Sequence, residues 1–194
     1  EILDKGYDAV FVGTGAPKGK DLKLDNRELL SSNVHIGIQW LASVAFGHTT
    51  KIGKKVLVIG GGNTAMDCCR TSRRLGGDDV KVVVRSPFDE MKASPWEIED
   101  AQHEDIPFHN CHNPKGFLVQ DGKLVGMRFE IVEANYDTGK RRLIPTGEIV
   151  DFEADDVIIA VGQENTFPWI EKDLGLEFGE WEMPVVNKTT LQST

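Results

Sequence analysis

Gly60, Gly62 and Ala65 stand in the order G-x-G-x-x-A within the stretch V-L-V-I-G-G-G-N-T-A-M-D. The chemistry this spacing serves is phosphate binding by main-chain groups. Gly60 allows a tight turn, Gly62 removes the Cβ that would stand between a pyrophosphate and backbone N–H groups, and Ala65 lets the next helix lie close to the preceding strand. The helix N-terminus supplies partial positive charge at the same place. Glycines alone also fit an ordinary turn. Their position, directly after the apolar run K-V-L-V-I and at the start of a helical pattern, favours a nucleotide.

The next candidate is Arg85, at the end of the valine run in K-V-V-V-R-S-P. An acid at this strand end would bind the ribose hydroxyls of NAD and repel a 2′-phosphate. An arginine offers that phosphate charge-assisted hydrogen bonds worth about 1.5 to 3 kcal/mol, a ten- to hundred-fold preference for NADP. Ser86 adds a hydroxyl and Lys92 a second cation. The competing reading is a solvated surface arginine, and the glycine turn upstream decides against it.

Other patterns fail on spacing or context. G-T-G-A-P-K-G-K-D has one residue too many for a P-loop and carries Asp21 where Ser or Thr should bind magnesium, so it reads as a glycine turn after a strand at the edge of a cofactor site. Tyr136 and Lys140 match Tyr-x-x-x-Lys, a pair that works on a helix face, yet they fall in a hairpin turn. His109, Cys111 and His112 lack further ligands at metal-binding spacing and read as ordinary strand residues, with no metal. Cys68, Cys69 and Cys111 form no C-x-x-C and read as reduced, apolar-like thiols. No catalytic acid, base or nucleophile stands out, which suits hydride transfer between two cofactors that the protein merely positions.

These residues need elements to hold them. Strands are expected at residues 7–13, 55–59, 80–84 and 156–162, and helices at 34–47 (capped by Ser32 or Asn33 and stopped by Gly47) and 63–75. In the latter, Ala65, Cys68, Cys69, Ser72 and Leu75 share a face while Arg70, Arg73 and Arg74 point away. S-P-W-E from Ser94 has the form of a capping box opening a helix through about residue 104. Residues 117–120, 124–134 and 141–152 alternate, joined by Asp121-Gly122 and by Y-D-T-G-K, and predict an antiparallel meander. The expected fold is α/β, a Rossmann-like parallel sheet flanked by helices, with the meander as a crossover.

The chain has 194 residues, 40% of them hydrophobic and 27% charged, enough for one core. A net charge of -9 argues against nucleic acid or an anionic membrane surface as partner. No apolar run approaches a membrane span and no signal core is visible, so a cytoplasmic protein is expected. The first residue is not Met and the closing T-T-L-Q-S-T completes no element, which suggests a piece of a longer chain.

With these motifs in hand, the sequence resembles the NADPH-binding domain of the glutamate synthase small-subunit family, which includes the matching part of dihydropyrimidine dehydrogenase and, more distantly, adrenodoxin reductase-like flavoproteins. The resemblance runs through V-G-T-G-A-P, V-I-G-G-G-N-T-A-M-D-C-C-R, R-S-P-F-D-E-M-K-A-S-P-W-E-I-E and A-D-D-V-I-I-A-V-G-Q. It implies that residues 1–194 are one NADP(H)-binding domain taken from a flavoprotein with two dinucleotide-binding domains, its FAD domain absent. It further implies that Gly62, Asn63, Thr64 and Ala65 meet the pyrophosphate, that Arg85, Ser86 and Lys92 meet the 2′-phosphate, and that Ala160, Val161 and Gly162 lie beside the nicotinamide. Implied partners are the FAD domain of the parent chain and an iron-sulfur electron-transfer subunit or domain, the isolated piece being inactive. Relatives often carry a second basic residue where Ser86 stands, which weakens the expected NADP selectivity. The alternative is a stand-alone NADP-sensing module that regulates a partner.

Overall fold

Lys55–Ile59 is apolar on both sides because both sides are covered. Val56 and Val58 face one layer, Leu57 and Ile59 the other, and all four are buried. In the computed structural model, which describes residues 3–193 except 31, 138, 172 and 174, this strand is the centre of the parallel sheet. The chain divides into two compact units, Gly19–Gly162 and Glu1–Lys18 with Gln163–Thr194.

The first unit runs β1 (Val34–Ile36), α1 (Gly37–Ala45), β2 (Lys55–Ile59), α2 (Asn63–Arg74), β3 (Asp79–Val83), α3 (Pro95–His103), β4 (Phe108–His109), β5 (His112–Gln120), β6 (Lys123–Asn135), β7 (Arg142–Glu153) and β8 (Asp156–Ile159). Among the described residues, β1, β8, β2, β3 and β4 form, in that order, a five-stranded sheet that is parallel throughout. Strands β5, β6 and β7 form a separate antiparallel sheet. Asp121 and Gly122 join its first two strands with positive φ of 51° and 73°, the backbone a type I′ turn requires.

The α/β fold with a parallel sheet, helices and an inserted meander is therefore as expected. Its layers are asymmetric. Trp40 of α1, Met66, Cys68 and Cys69 of α2 and Ala101 of α3 pack on one face of the sheet. Phe117, Met127 and Phe129 of the meander pack on the other, against Leu57, Ile59, Val83, Val157 and Ile159. Helices α2 and α3 are further tied through Arg70, whose guanidinium meets Glu97 at 3.4 Å, Asp100 at 3.0 Å and Glu104 at 2.9 Å.

Four expectations need correction. The helix predicted over 34–47 begins at Gly37, because Val34, His35 and Ile36 are drawn into an edge strand beside Val157, Ile158 and Ile159. Neither Ser32 nor Asn33 caps it. The Asn33 amide instead donates to Asp155 O at 3.1 Å, while Gly47, with φ of 75°, does follow its end. Of the residues read as strand residues, His109 lies in Phe108–His109 and His112 in His112–Gln120, but Cys111 falls between the two strands with a positive φ of 60°. Ser94 occupies the N-cap of α3 and Pro95 its first turn, but the hydroxyl makes no capping bond because Asn63 engages it.

The fourth correction lies in the second unit. Residues 7–13 form no strand, and Tyr7, Val10, Phe11 and Val12 are exposed, Phe11 by 95%. A buried parallel strand needs paired neighbours and cover on both faces, and among the described residues none pairs with this segment. G-T-G-A-P therefore follows no strand. This unit otherwise holds short 3₁₀ turns at Leu3–Lys5 and Glu180–Glu182, isolated bridges joining Phe178 to Pro184 and Val186 to Ser193, and a Lys18–Glu164 ion pair of 2.6 Å.

Candidate functional site

Strand β2 has β3, the strand that follows it in the chain, on one side and β8 on the other. The strand order reverses there, and the crevice beyond the carboxyl ends of such strands is where open α/β sheets bind ligands. The glycine turn occupies that point. Gly60 N donates to Val83 O at 3.0 Å, and Ala160 N donates to Ile59 O at 2.8 Å, so the three strand ends are stitched together beneath it.

Gly60 is required twice over. Its φ of 141° is one that L-residues avoid, and a Cβ there would lie 2.2 Å from Ala160 O. Gly62 has the opposite surroundings: an added Cβ would meet no atom within 4 Å. It is the N-cap of α2 with extended backbone, so no side chain of its own covers the N-terminus of the helix. Ala65 and Met66 N–H both bond Gly62 O, at 2.9 and 3.3 Å, and Ala65 is completely buried. Thr64 is half-buried in the same turn.

Asn63 serves a structural purpose that its sequence position did not disclose. Its Oδ1 accepts the Ser94 N–H at 2.7 Å and its Nδ2 donates to Ser94 Oγ at 3.3 Å, so the amide clamps the start of α2 to the start of α3. Two helix N-termini thus adjoin one turn. Thirty-one residues separate the pair, and no local pattern in a single sequence reveals such a contact.

The segment from Arg85 to Lys92 is held at both ends. Ser86 O accepts from Asn110 Nδ2 at 3.0 Å and from Cys111 N at 3.3 Å. The N–H groups of Lys92 and Ala93 both donate to Gly61 O, at 2.9 and 3.0 Å, which returns the chain to the glycine turn. The Arg85 and Lys92 side chains are exposed and form no hydrogen bond or ion pair among the described residues. Two cations whose side chains have no partner among the described residues thus stand at the two ends of a segment tied back to the glycine turn. Ala160 is half-buried, Val161 is 38% exposed and Gly162 is exposed at the end of the neighbouring strand. The glycine turn, Arg85 with Ser86, and Ala160 to Gly162 thus follow the carboxyl ends of β2, β3 and β8, and Lys92 is tied back to the turn through its main chain.

Among the described residues no group of three or more His, Cys, Asp or Glu could hold a metal ion. Tyr136 and Lys140 lie on the connection after β6. Cys68 and Cys69 are free and buried. Burial pushes both thiols up, that of Cys69 to about 12, so neither is an available thiolate at neutral pH. Burial, with the neighbouring His112 and Lys81, lowers the His109 pKa, and its Nε2 is buried with no hydrogen-bond partner.

The fold and the site define a nucleotide-binding α/β unit of the Rossmann kind. The chain belongs to the pyridine nucleotide-disulphide oxidoreductase family, whose profile matches residues 4–193; that family binds FAD and NADP(H). It is 32% identical to the NADPH-Fe(3+) oxidoreductase subunit beta of Geobacter sulfurreducens, over 99% of this chain and 29% of that protein. It is also 32% identical to the glutamate synthase [NADPH] small chain of Escherichia coli, over 86% of this chain and 38% of that one. The chain thus spans well under half the length of these relatives. Mycobacterium tuberculosis FprA, solved in complex with NADPH, shares the fold with a TM-score of 0.71 at 17% identity, over 92% of this chain and 54% of FprA. No described helix is long and apolar enough to cross a membrane.

Proposed function

We propose that this chain is the NADP(H)-binding domain of a longer, cytoplasmic flavoprotein oxidoreductase, in which it brings NADPH to a flavin whose electrons pass on towards iron-sulfur centres. The observation that carries the reading is the pair of unpaired cations, Arg85 and Lys92, beside an open glycine turn at the point where strand order reverses. The N–H groups at the start of α2, opened by Gly62, would hold the pyrophosphate, with Asn63, Thr64 and Ala65 forming that first turn. Arg85, Ser86 and Lys92 would hold the 2′-phosphate, and Ala160, Val161 and Gly162 would border the nicotinamide. NADPH supplies the hydride when bound. The residues of this chain position and select, and none is needed to move a proton, so the chain alone should bind nucleotide without turnover.

The similarity to subunits named for NADPH supports the nucleotide choice. Ser86 tempers it, since a hydroxyl is a weaker phosphate ligand than a second guanidinium. Calorimetric titration of the chain with NADPH and with NADH tests the assignment. Tighter binding of NADPH is expected; no binding of either nucleotide, or a preference for NADH, would refute it. An absorption spectrum of the longer parent protein tests the flavin, whose bands should be present there.

A further inference from the structure

The segment R-S-P-F-D-E-M-K carries two cations, Arg85 and Lys92, and two acids, Asp89 and Glu90, so its own formal charge is zero. That is a poor platform for a dianionic phosphate. One of its acids is nevertheless occupied. Glu90 Oε2 accepts from Arg141 Nη1 and Glu90 Oε1 from the Tyr136 hydroxyl, both donors coming from the hairpin that joins β6 to β7. The Glu90 and Arg141 side chains are 26% and 34% exposed, so the pair is partly withdrawn from water.

We infer that Arg141 is a specificity-determining residue: by neutralising Glu90 it leaves Arg85 and Lys92 in excess over the acids and turns the segment into a receptor for the 2′-phosphate. This rests on the proposed NADP(H) site. The main-chain bonds of Ser86 at one end and of Lys92 and Ala93 at the other do not involve the hairpin. Losing Arg141 therefore leaves Glu90 in place as an uncompensated charge two residues from Lys92. It disfavours the nucleotide that carries the additional phosphate and scarcely affects the one without it. Arg141 is remote in sequence from the glycine turn and sits beside the rejected Tyr-x-x-x-Lys pattern. Tyr136 and Arg141 thus find a purpose through Glu90 that neither has in that pattern.

The test is calorimetric titration of NADPH and NADH into the chain and its R141Q, R141K and R141Q/E90Q variants. R141Q should weaken NADPH about three- to tenfold, the range for one charge acting across a partly solvated gap, and the loss should shrink as salt rises. NADH affinity should change less than about twofold. R141K should behave as the parent, and R141Q/E90Q should recover most of the loss, because the acid that Arg141 masks is gone. Equal losses for both nucleotides, or a double variant as weak as R141Q, would show a merely structural tie and overturn the inference. A parent chain that prefers NADPH while R141Q keeps that preference sinks Arg141 alone; a parent chain without preference sinks the site itself.

Discussion

Replacing Arg85 separates the two things an arginine at this strand end can be. It follows the last valine of the β3 run, is exposed, and makes no hydrogen bond or ion pair among the described residues. The folded chain should therefore lose little when it goes, within about 0.5 kcal/mol, as for surface positions without a named interaction. Its contribution to a bound 2′-phosphate is a charge-assisted hydrogen bond, about 1.5 to 3 kcal/mol when formed well. Exposure puts the effect at the lower end, because water screens the pair, and Lys92 remains to attract the same phosphate. Arg85→Ala should then weaken NADPH about tenfold and NADH less than about twofold. Arg85→Glu adds repulsion at the same spot and should extend the NADPH loss towards a hundredfold, about 2.7 kcal/mol. Calorimetry with both nucleotides, accompanied by thermal unfolding of each variant, reads these differences. Parallel losses for NADPH and NADH with unchanged stability would reduce Arg85 to an ordinary surface residue and refute the reasoning.

Gly60→Ala and Gly62→Ala should part company. The first places a Cβ against Ala160 O in a left-handed backbone and should cost about 3 kcal/mol or more of stability by thermal or denaturant unfolding. The second enters open space and should cost under about 1 kcal/mol of stability, while reducing nucleotide affinity. Burial, with His112 and Lys81, holds the His109 pKa below its ordinary value, so the unfolded chain takes up a proton before the folded one does. Stability should fall as pH drops below about 6.5, and His109→Phe should flatten that limb of a pH series of urea unfolding curves; an unchanged slope would count against a buried neutral imidazole. A thiol-reactive dye at neutral pH should label at most Cys111 in the folded chain and all three cysteines once it is unfolded, because Cys68 and Cys69 are buried with raised pKa values.

Much of the site was legible because its signals are local. Lys55–Ile59, the glycines and the amphipathic α2 announce themselves within one window, and β2 and the start of α2 fall where the pattern puts them. The α2 face of Ala65, Cys68, Cys69 and Ser72 is buried as its spacing requires. What the sequence withheld depends on contacts between distant segments. Val34 to Ile36 could extend a helix or pair as a strand, and only the edge of β8 decides between them. The hydroxyl of Ser94 had a local partner in prospect and took a distant one in Asn63. Residues 7–13 have strand composition but no strand to pair with among the described residues, and composition cannot supply one.

The meander illustrates why such remote contacts matter to function. In the alternating strand β2, Leu57 and Ile59 need apolar cover on the face the three helices leave bare, and Phe117, Met127 and Phe129 provide it. That requirement alone accounts for an antiparallel sheet inserted between β4 and β8, and would be met by strands of almost any length. Yet β6 runs for 13 residues, to Asn135, and its connection to β7 reaches Glu90, in the segment that follows β3. Met127 and Phe129, the main cover for β2, lie in the first half of that strand, and the second half adds the buried Val132. The second half carries Tyr136 and Arg141 to the segment that would grip the phosphate, so one insertion both closes the core and sets the charge of the site.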